Sequence, residues 1–451
     1  IRNPLLSACK PNVLTVKLRN RGKYSLAGRS VIITYSVTGD GYNATGRDTV
    51  KLTMKTIGSE QIYNFKKPFI ITDYSTYQVC IDLISKSLKE DTVFTNNTRC
   101  ADLGVGIGGD YYVGFPSRLP NTDTTRYFTK LSGAISDISN RAGIACETFI
   151  YMHPASSPYL ERVIIPKYLV ALDSPYLNIL PYNTLNNTEV VLQQPATPVG
   201  DDSKLHYTLR LQSSNFLRIK NLNIKNTGAN FGSGIHITRN AQSIVIDGCK
   251  VEVNNTLKTK VFYPIAFTST NKLDITDPVS CAKNGSNNKI VRNELVGGYA
   301  GVALLGPSQV DFDLNNIIDS NIIRDFYNNG IYTIYNTIKS IGFNNLTPRT
   351  VTDSSVTISY NLAGEGGLIN ANTIKNSKNI GIKVFGIDAF DENKLIISNN
   401  WIKWNPNSDS TTSDIWLGFK RKAAASNGAT MAPRLANPKS PPRLPEPKSS
   451  E

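Results

Sequence analysis

The sequence predicts an all-β chain. An N-terminal immunoglobulin-like β-sandwich leads into a right-handed parallel β-helix with a capping helix at its entry. Two observations carry this. Short segments of period-two alternation, with turn signals every 8–12 residues, fill positions 9–105, the pattern of a sandwich. A six-residue motif, I-x-x-[LCN]-x-[ILV], then recurs six times between positions 219 and 402, the mark of a solenoid.

Val13–Asn20 alternates Leu14, Val16 and Leu18 against polar neighbours, and Val31–Val37 runs into a Gly39–Asp40–Gly41 turn. Further strands are expected at Thr49–Met54, Ile62–Phe65, Tyr77–Leu83 and Thr92–Thr98. Cys80 lies in one of the last strands and Cys100 just after the final one, within bridging distance if those strands are neighbours, so a disulfide is expected, the alternative being two reduced thiols. The elements Val16–Gly22, Ile33–Val37 and Tyr77–Ile81 resemble the CARDB family of adhesion-related bacterial domains, and that resemblance implies a spacer or adhesive module. Thr125–Asn140 reads as an amphipathic helix with Phe128, Leu131, Ile135 and Ile138 on one face, and Glu147–Met152 as the strand after it.

The repeat begins at Ile219, Ile246, Ile290, Ile318, Ile369 and Ile397, at intervals of 27, 44, 28, 51 and 28 residues. The two long intervals are expected to be single coils carrying insertions, at 254–287 and 342–367. A second motif, G-[IV]-x-[ILV], follows at Gly234–Ile237, Gly301–Leu304, Gly330–Thr333 and Gly381–Val384, with Pro replacing Gly in Pro264–Phe267. One such coil cannot bury its own apolar residues, but stacked coils align Ile on Ile. The 46 Asn residues fit the same picture, because Asn tolerates the left-handed backbone of tight turns and can bond its copy one coil away. Asn293, Asn321, Asn372 and Asn400 are therefore expected as an inward ladder. Cys249, in their column, is expected to be a buried thiol, with a bridge to Cys281 as the alternative.

These repeats resemble those of the pectin-lyase-like superfamily, a resemblance covering about residues 106–404. The run from Gly108 to Pro166 is similar to the β-helix entry of large Bacteroidota surface proteins. The domains expected are thus a sandwich at 1–105, a β-helix at 106–419 and a disordered basic, Pro-rich tail at 420–451.

The formal charge of +14 suggests a polyanion partner, but its distribution argues otherwise. Residues 1–105 hold 15 Lys/Arg against 8 Asp/Glu, residues 106–419 hold 27 against 25, and residues 420–451 hold 7 against 2. The β-helix is close to neutral and no basic stripe interleaved with aromatics appears, so no nucleic-acid partner is expected. No apolar run is long enough to span a membrane as a helix.

Enzymes of the superfamily are implied to use clustered outward Asp residues, or calcium ligands with a basic residue. Outward of the second motif stand His236, Ala266, Ala303, Tyr332 and Lys383, without a carboxylate. Outward of the first stand Lys220, Asp247, Val291, Asp319, Asn370 and Ser398, so Asp247 and Asp319 are the only candidate catalytic pair. Asp311 and Asp313 open a run similar to a calcium loop, but Asn316 stands where that loop needs Gly. No cofactor is expected, calcium being the one candidate metal. Tyr332, Lys375, Lys383, Trp401 and Lys403 are candidates for holding a sugar acid by charge and ring stacking. The function expected is a non-catalytic, secreted or cell-surface bacterial adhesin contacting a polysaccharide or surface glycan. The alternative is a polysaccharide lyase or glycoside hydrolase, with its site in the insertions or in coils beyond this chain.

Overall fold

The computed structural model describes residues 1–84, 97–120, 122–182, 189–195, 207–228, 232–254, 261–268, 284–306, 313–334, 336–349, 352–359, 368–387, 396–404 and 413–419. The tail at 420–451, Cys281, Asp311 and the strand expected over 92–96 lie outside the described residues.

The N-terminal unit has two antiparallel layers. Ser30–Gly39 pairs with Tyr42–Lys51 across the expected Gly-Asp-Gly turn and with Thr76–Ile84, which pairs with the first half of Thr98–Val113. Thr15–Arg19 pairs with Glu60–Asn64 as a separate ribbon. Alternation sends Val31, Ile33, Tyr35 and Val37 inward, onto Val16 and Leu18 of the ribbon, in one apolar cluster. Each fully buried side chain of this kind contributes about 1.5–3 kcal/mol of transfer free energy.

Thr98–Val113 continues past position 105 without a break. Its second half, from Ile107, pairs in parallel with Ile144–Met152 and begins the solenoid. The boundary expected between 105 and 106 therefore falls inside a strand shared by both units. A disulfide between Cys9 and Cys146, spanning 137 residues of sequence, and an ion pair between Lys10 and Asp173 cross the same junction. Cys80 and Cys100 sit opposite each other in register and are joined, with Cα atoms 4.0 Å apart.

From there the chain winds as a parallel β-helix with three faces. The first face stacks Thr98–Val113, Ile144–Met152, Leu177–Pro181, Asn215–Lys220, Gln242–Asp247, Lys289–Val291, Asp313–Asp319, Asn336–Gly342, Leu368–Asn370 and Ile396–Ser398. The second runs from Tyr159–Leu160 to Trp401–Trp404, and the third from Val163–Ile165 to Ser413–Phe419. On the first face Ile219, Ile246, Ile290, Ile318, Ile341, Ile369 and Ile397 lie in one register column. The recurring motif is thus a corner: its Ile ends the first face and its last apolar residue lies on the second.

Two expectations are corrected. The interval from Ile318 to Ile369 is two coils, not one. Ile341–Leu346, reading IGFNNL, is the corner of a further coil, paired with its neighbours on both sides. Its short 23-residue spacing from Ile318 hides it from a search tuned to 28. The capping helix is also shorter than expected, at Leu131–Asn140. Tyr127–Phe128 instead extends beside Tyr112–Val113 as strand. The Glu161 carboxylate receives the Leu131 and Ser132 N–H groups at 2.8 and 3.1 Å, satisfying donors that an uncapped helix start leaves open. Leu131, Ala134, Ile135 and Ile138 close the end of the core, with Phe128 packed against it.

The corner itself explains the Asn content. The residue before each ladder position has positive φ: Gly248, Arg292, Ser320, Phe343, Ala371 and Asn399. The next residue is then aimed inward along the axis. Asn293, Asn321, Asn344, Asn372 and Asn400 form a continuous ladder, Asn344 being the member contributed by the additional coil. The Gly of the second motif has an equally local cause. A Cβ on Gly301 would lie 2.2 Å from Cγ2 of Ile323 and 2.8 Å from the carbonyl oxygen of Gly330, and one on Gly234 would meet Val251 at 2.2 Å. At these two positions the absence of a side chain lets the third face start this close to the second, while Pro264 holds the equivalent position in the coil between them.

Candidate functional site

The outward side of the first face concentrates most of the chemistry. Its outward residues form two register columns. One runs Asp110, Phe149, Asn178, Arg218, Val245, Lys289, Ile317, Ser340, Leu368 and Ile396. In the other, Tyr112 stands beside Tyr151 and Tyr151 beside Leu180, and further along lie Lys220, Asp247, Val291, Asp319, Gly342, Asn370 and Ser398.

At the helix-capped end these columns carry an aromatic platform. Tyr112 stacks on Tyr127 at 4.8 Å and on Tyr151 at 6.1 Å, and Tyr151 stacks on Phe149 at 6.0 Å. Phe115 packs against His153 and Tyr182 at 4.7 and 4.8 Å. All but Tyr112 are half-buried, so ring surface remains open to solvent. Burial, reinforced by the neighbouring Asp110 carboxylate, pushes the Tyr112 hydroxyl up to about 12 and raises Tyr151 in the same direction. Both phenols therefore stay neutral donors through the physiological range.

A polar group borders the rings. Glu147 accepts the Asn178 amide at 2.7 Å and lies 3.8 Å from the Arg218 guanidinium. Arg218 in turn lies 3.7 Å over the Tyr176 ring, whose edge meets Phe216. Open ring faces beside a carboxylate, an amide and a guanidinium suit a ligand with apolar faces and many hydroxyl groups.

Asp247 and Asp319 share their column as expected, but Val291 separates them, placing their backbones ~10 Å apart at two strand spacings. Each is engaged locally. Arg292 donates to Asp247 from Nε and Nη2, at 2.8 and 2.6 Å. Asp319 receives the Gly342 N–H at 2.6 Å and has the Ser340 hydroxyl 2.8 Å away. Burial raises the Asp319 carboxyl above its ordinary value, and these two hydrogen bonds oppose the shift.

The proposed sugar-acid set is divided between faces. Tyr332 and Lys383 lie on the third face, two coils apart with Thr357 between them. Tyr332 packs there against the apolar cluster of Tyr263, Ala266, Ala300, Ala303 and Leu305. Lys375, Trp401 and Lys403 lie on the second face. His236, Ala266 and Ala303, outward on the third face, are fully buried. His236 is held by Arg210 and Thr268. Asp313, read with Asp311 as the start of a calcium loop, is buried and accepts the Asn284 and Gly285 N–H groups at 3.1 Å each. Among the described residues, no three His, Cys, Asp or Glu side chains gather as a metal site.

Sequence reasoning missed the aromatic platform. Its residues precede the first recognisable repeat, so no register aligned Tyr112 with Tyr151. The alternation Phe149-x-Tyr151 in a strand already expected was the available signal.

No family model matches the chain, and no curated protein matches it. Among solved structures, pectate lyase Pel9A is similar at 14% identity and a TM-score of 0.36, over 65% of this chain and 78% of that one. Two variants of the catalytic domain of a GH87 alpha-1,3-glucanase in complex with nigerose are similar at 10% identity and a TM-score of 0.21, over 90% of this chain and 91% of theirs. Likenesses this slight do not bear on activity; the parallel β-helix itself stands on its strand pairing.

Proposed function

We propose that this protein is a secreted or cell-surface, adhesin-like protein whose β-helix contacts a glycan along its first face. The observation that carries this is the aromatic platform of Tyr112, Tyr127, Phe149 and Tyr151, edged by Glu147, Asn178 and Arg218. Ring stacking on sugar faces, with polar groups for the hydroxyls, is the chemistry such a surface offers. The two disulfides support an oxidising, extracellular setting. The N-terminal unit fits an immunoglobulin-like spacer fused rigidly to the solenoid. A glycan array tests the reading. Tyr151→Ala with Phe149→Ala should weaken the captured glycan at least ~10-fold, the loss of ~1.4 kcal/mol. Unchanged binding by a folded double variant defeats it.

The enzyme reading, a polysaccharide lyase or glycoside hydrolase, rests on Asp319, a carboxyl raised by burial on the same face. Incubation with polygalacturonate, alginate and α-glucans should then release unsaturated or reducing ends, and Asp319→Asn should abolish their release. No product from any polymer leaves the binding reading alone.

A further inference from the structure

We propose a second, separate binding site for an anionic polysaccharide on the last coils of the second face, built from Lys375, Lys403, Trp401 and Phe343. Lys375 and Lys403 are direct register partners in adjacent coils, one strand spacing of ~4.8 Å apart. Like charges placed opposite each other on a sheet destabilise it. Elsewhere on this face the cations are balanced: Lys225 pairs with Glu252, and Arg324 with Glu294 and Asp325. Around Lys375 and Lys403 the outward neighbours are Asn345, Thr347, Thr373 and Trp401, and no ion pair engages either lysine among the described residues. Among the described residues this pair has no counter-charge, and an anion bound there would supply one.

The aromatic side chains beside it point the same way. Trp401 is 54% exposed on the same strand as Lys403. Phe343, two coils back at the adjoining corner, is 65% exposed and has φ of 55°. At the equivalent corners stand Asn221, Gly248, Arg292, Ser320, Ala371 and Asn399. A bulky aromatic in the left-handed region costs about 1–3 kcal/mol, and neither burial nor packing offsets it here. Two exposed rings about two coil spacings apart, ~10 Å along the axis, stand on the corner side of the two lysines. An extended chain of sugar rings bearing acidic groups matches both features. Two lysines without an arginine form too sparse a charge for the phosphate density of a nucleic acid. Carboxylate and sulfate are acidic groups that such a chain carries, and the probes below separate them.

The test uses the full chain and four probes: polygalacturonate, dextran sulfate, neutral dextran and single-stranded polyadenylate, compared by titration calorimetry at low and high salt. Lys375→Ala/Lys403→Ala should weaken binding to one or both anionic glycans at least ~10-fold and remove most of its salt dependence. Trp401→Ala should weaken it several-fold. The exposed Lys51→Ala/Lys55→Ala pair serves as the charge-matched control and should bind as the parent does. Far-ultraviolet circular dichroism confirms folding of each variant, and Lys375→Gln/Lys403→Gln replaces any that fails. Equal affinity for neutral dextran, tighter binding of polyadenylate, no binding of either anionic glycan, or unchanged binding by the folded lysine variants overturns the site. Because the first-face variants at Phe149 and Tyr151 address different residues, the two readings fail separately.

Discussion

The side-chain oxygen of Asn344 accepts two hydrogen bonds from Asn321 one coil before it, from the backbone N–H at 3.0 Å and from the side-chain amide at 2.9 Å. Asn344 in turn donates its own amide to the Ile318 carbonyl at 2.8 Å and to Asn372 at 3.0 Å. Each ladder member thereby satisfies buried groups in both neighbouring coils. Asn344→Ala leaves a buried N–H and a buried carbonyl unpaired, and should cost about 2–4 kcal/mol. Asn344→Asp should cost at least as much, since it turns a donor facing the Ile318 carbonyl into an acceptor. Urea unfolding followed by circular dichroism checks both. A shift in midpoint no larger than that of Asn43→Ala, a change at an exposed strand position, would count against the ladder.

The Cys9–Cys146 bridge closes a loop across the junction of the two units. For a separation of 137 residues, chain entropy sets a ceiling of about 5 kcal/mol on its contribution. Cys9→Ser/Cys146→Ser should therefore lower stability by roughly 2–5 kcal/mol. The strand Thr98–Val113 still joins the units, so the loss should appear as a lower midpoint with the fold retained. Thermal melts of the variant, and of the parent with and without reductant, measure it.

Cys249 is fully buried in the ladder column, and desolvation pushes its thiol up to about 12. Hardly any thiolate exists at neutral pH, and the sulfur has no path to solvent. In the native protein a maleimide should leave Cys249 unmodified and should label it only after denaturation. Peptide mapping by mass spectrometry distinguishes it from Cys281.

The Asp319 carboxyl has a raised folded-state pKa, so the folded state holds its proton to higher pH than the unfolded chain does. Its contribution is fully present below the unfolded value and is lost as pH rises through the folded one. Asp319→Asn, neutral at every pH, should remove that part of the pH dependence above the ordinary value of 3.8. Chemical denaturation of parent and variant across the acid range checks the sign. A stability gap between them that does not change with pH in this window would sink the assignment.

How legible each feature was follows from how far its cause extends along the chain. Ile246, Ile290 and Ile318 recur because every coil needs the same corner, so a local motif reveals a global stack. The register that puts Asp247 and Asp319 in one column was legible for the same reason. Ile341–Leu346 obeys the motif too, but at a spacing the neighbouring coils do not share. The Cys9–Cys146 pair and the Tyr112–Tyr151 stack depend on where two remote strands meet, which no local pattern encodes. Tyr332 looked like an outward ring because strand alternation gives direction, not exposure. Whether an outward residue meets solvent depends on what packs over that face.

Gly301 tests the corner from the other side. Its surroundings are tight: an added Cβ would meet Cγ2 of Ile323 at 2.2 Å and the Gly330 carbonyl oxygen at 2.8 Å. Gly301→Ala should cost about 1–3 kcal/mol by forcing the second and third faces apart. Ile323→Leu removes the β-branch methyl that the new carbon strikes, so Gly301→Ala/Ile323→Leu should recover part of the loss. Recovery should stay incomplete, because the Gly330 carbonyl belongs to the backbone and cannot be trimmed. A double-mutant cycle on urea midpoints gives the coupling. Strict additivity would mean that the contact with Ile323 is not what requires glycine at this corner.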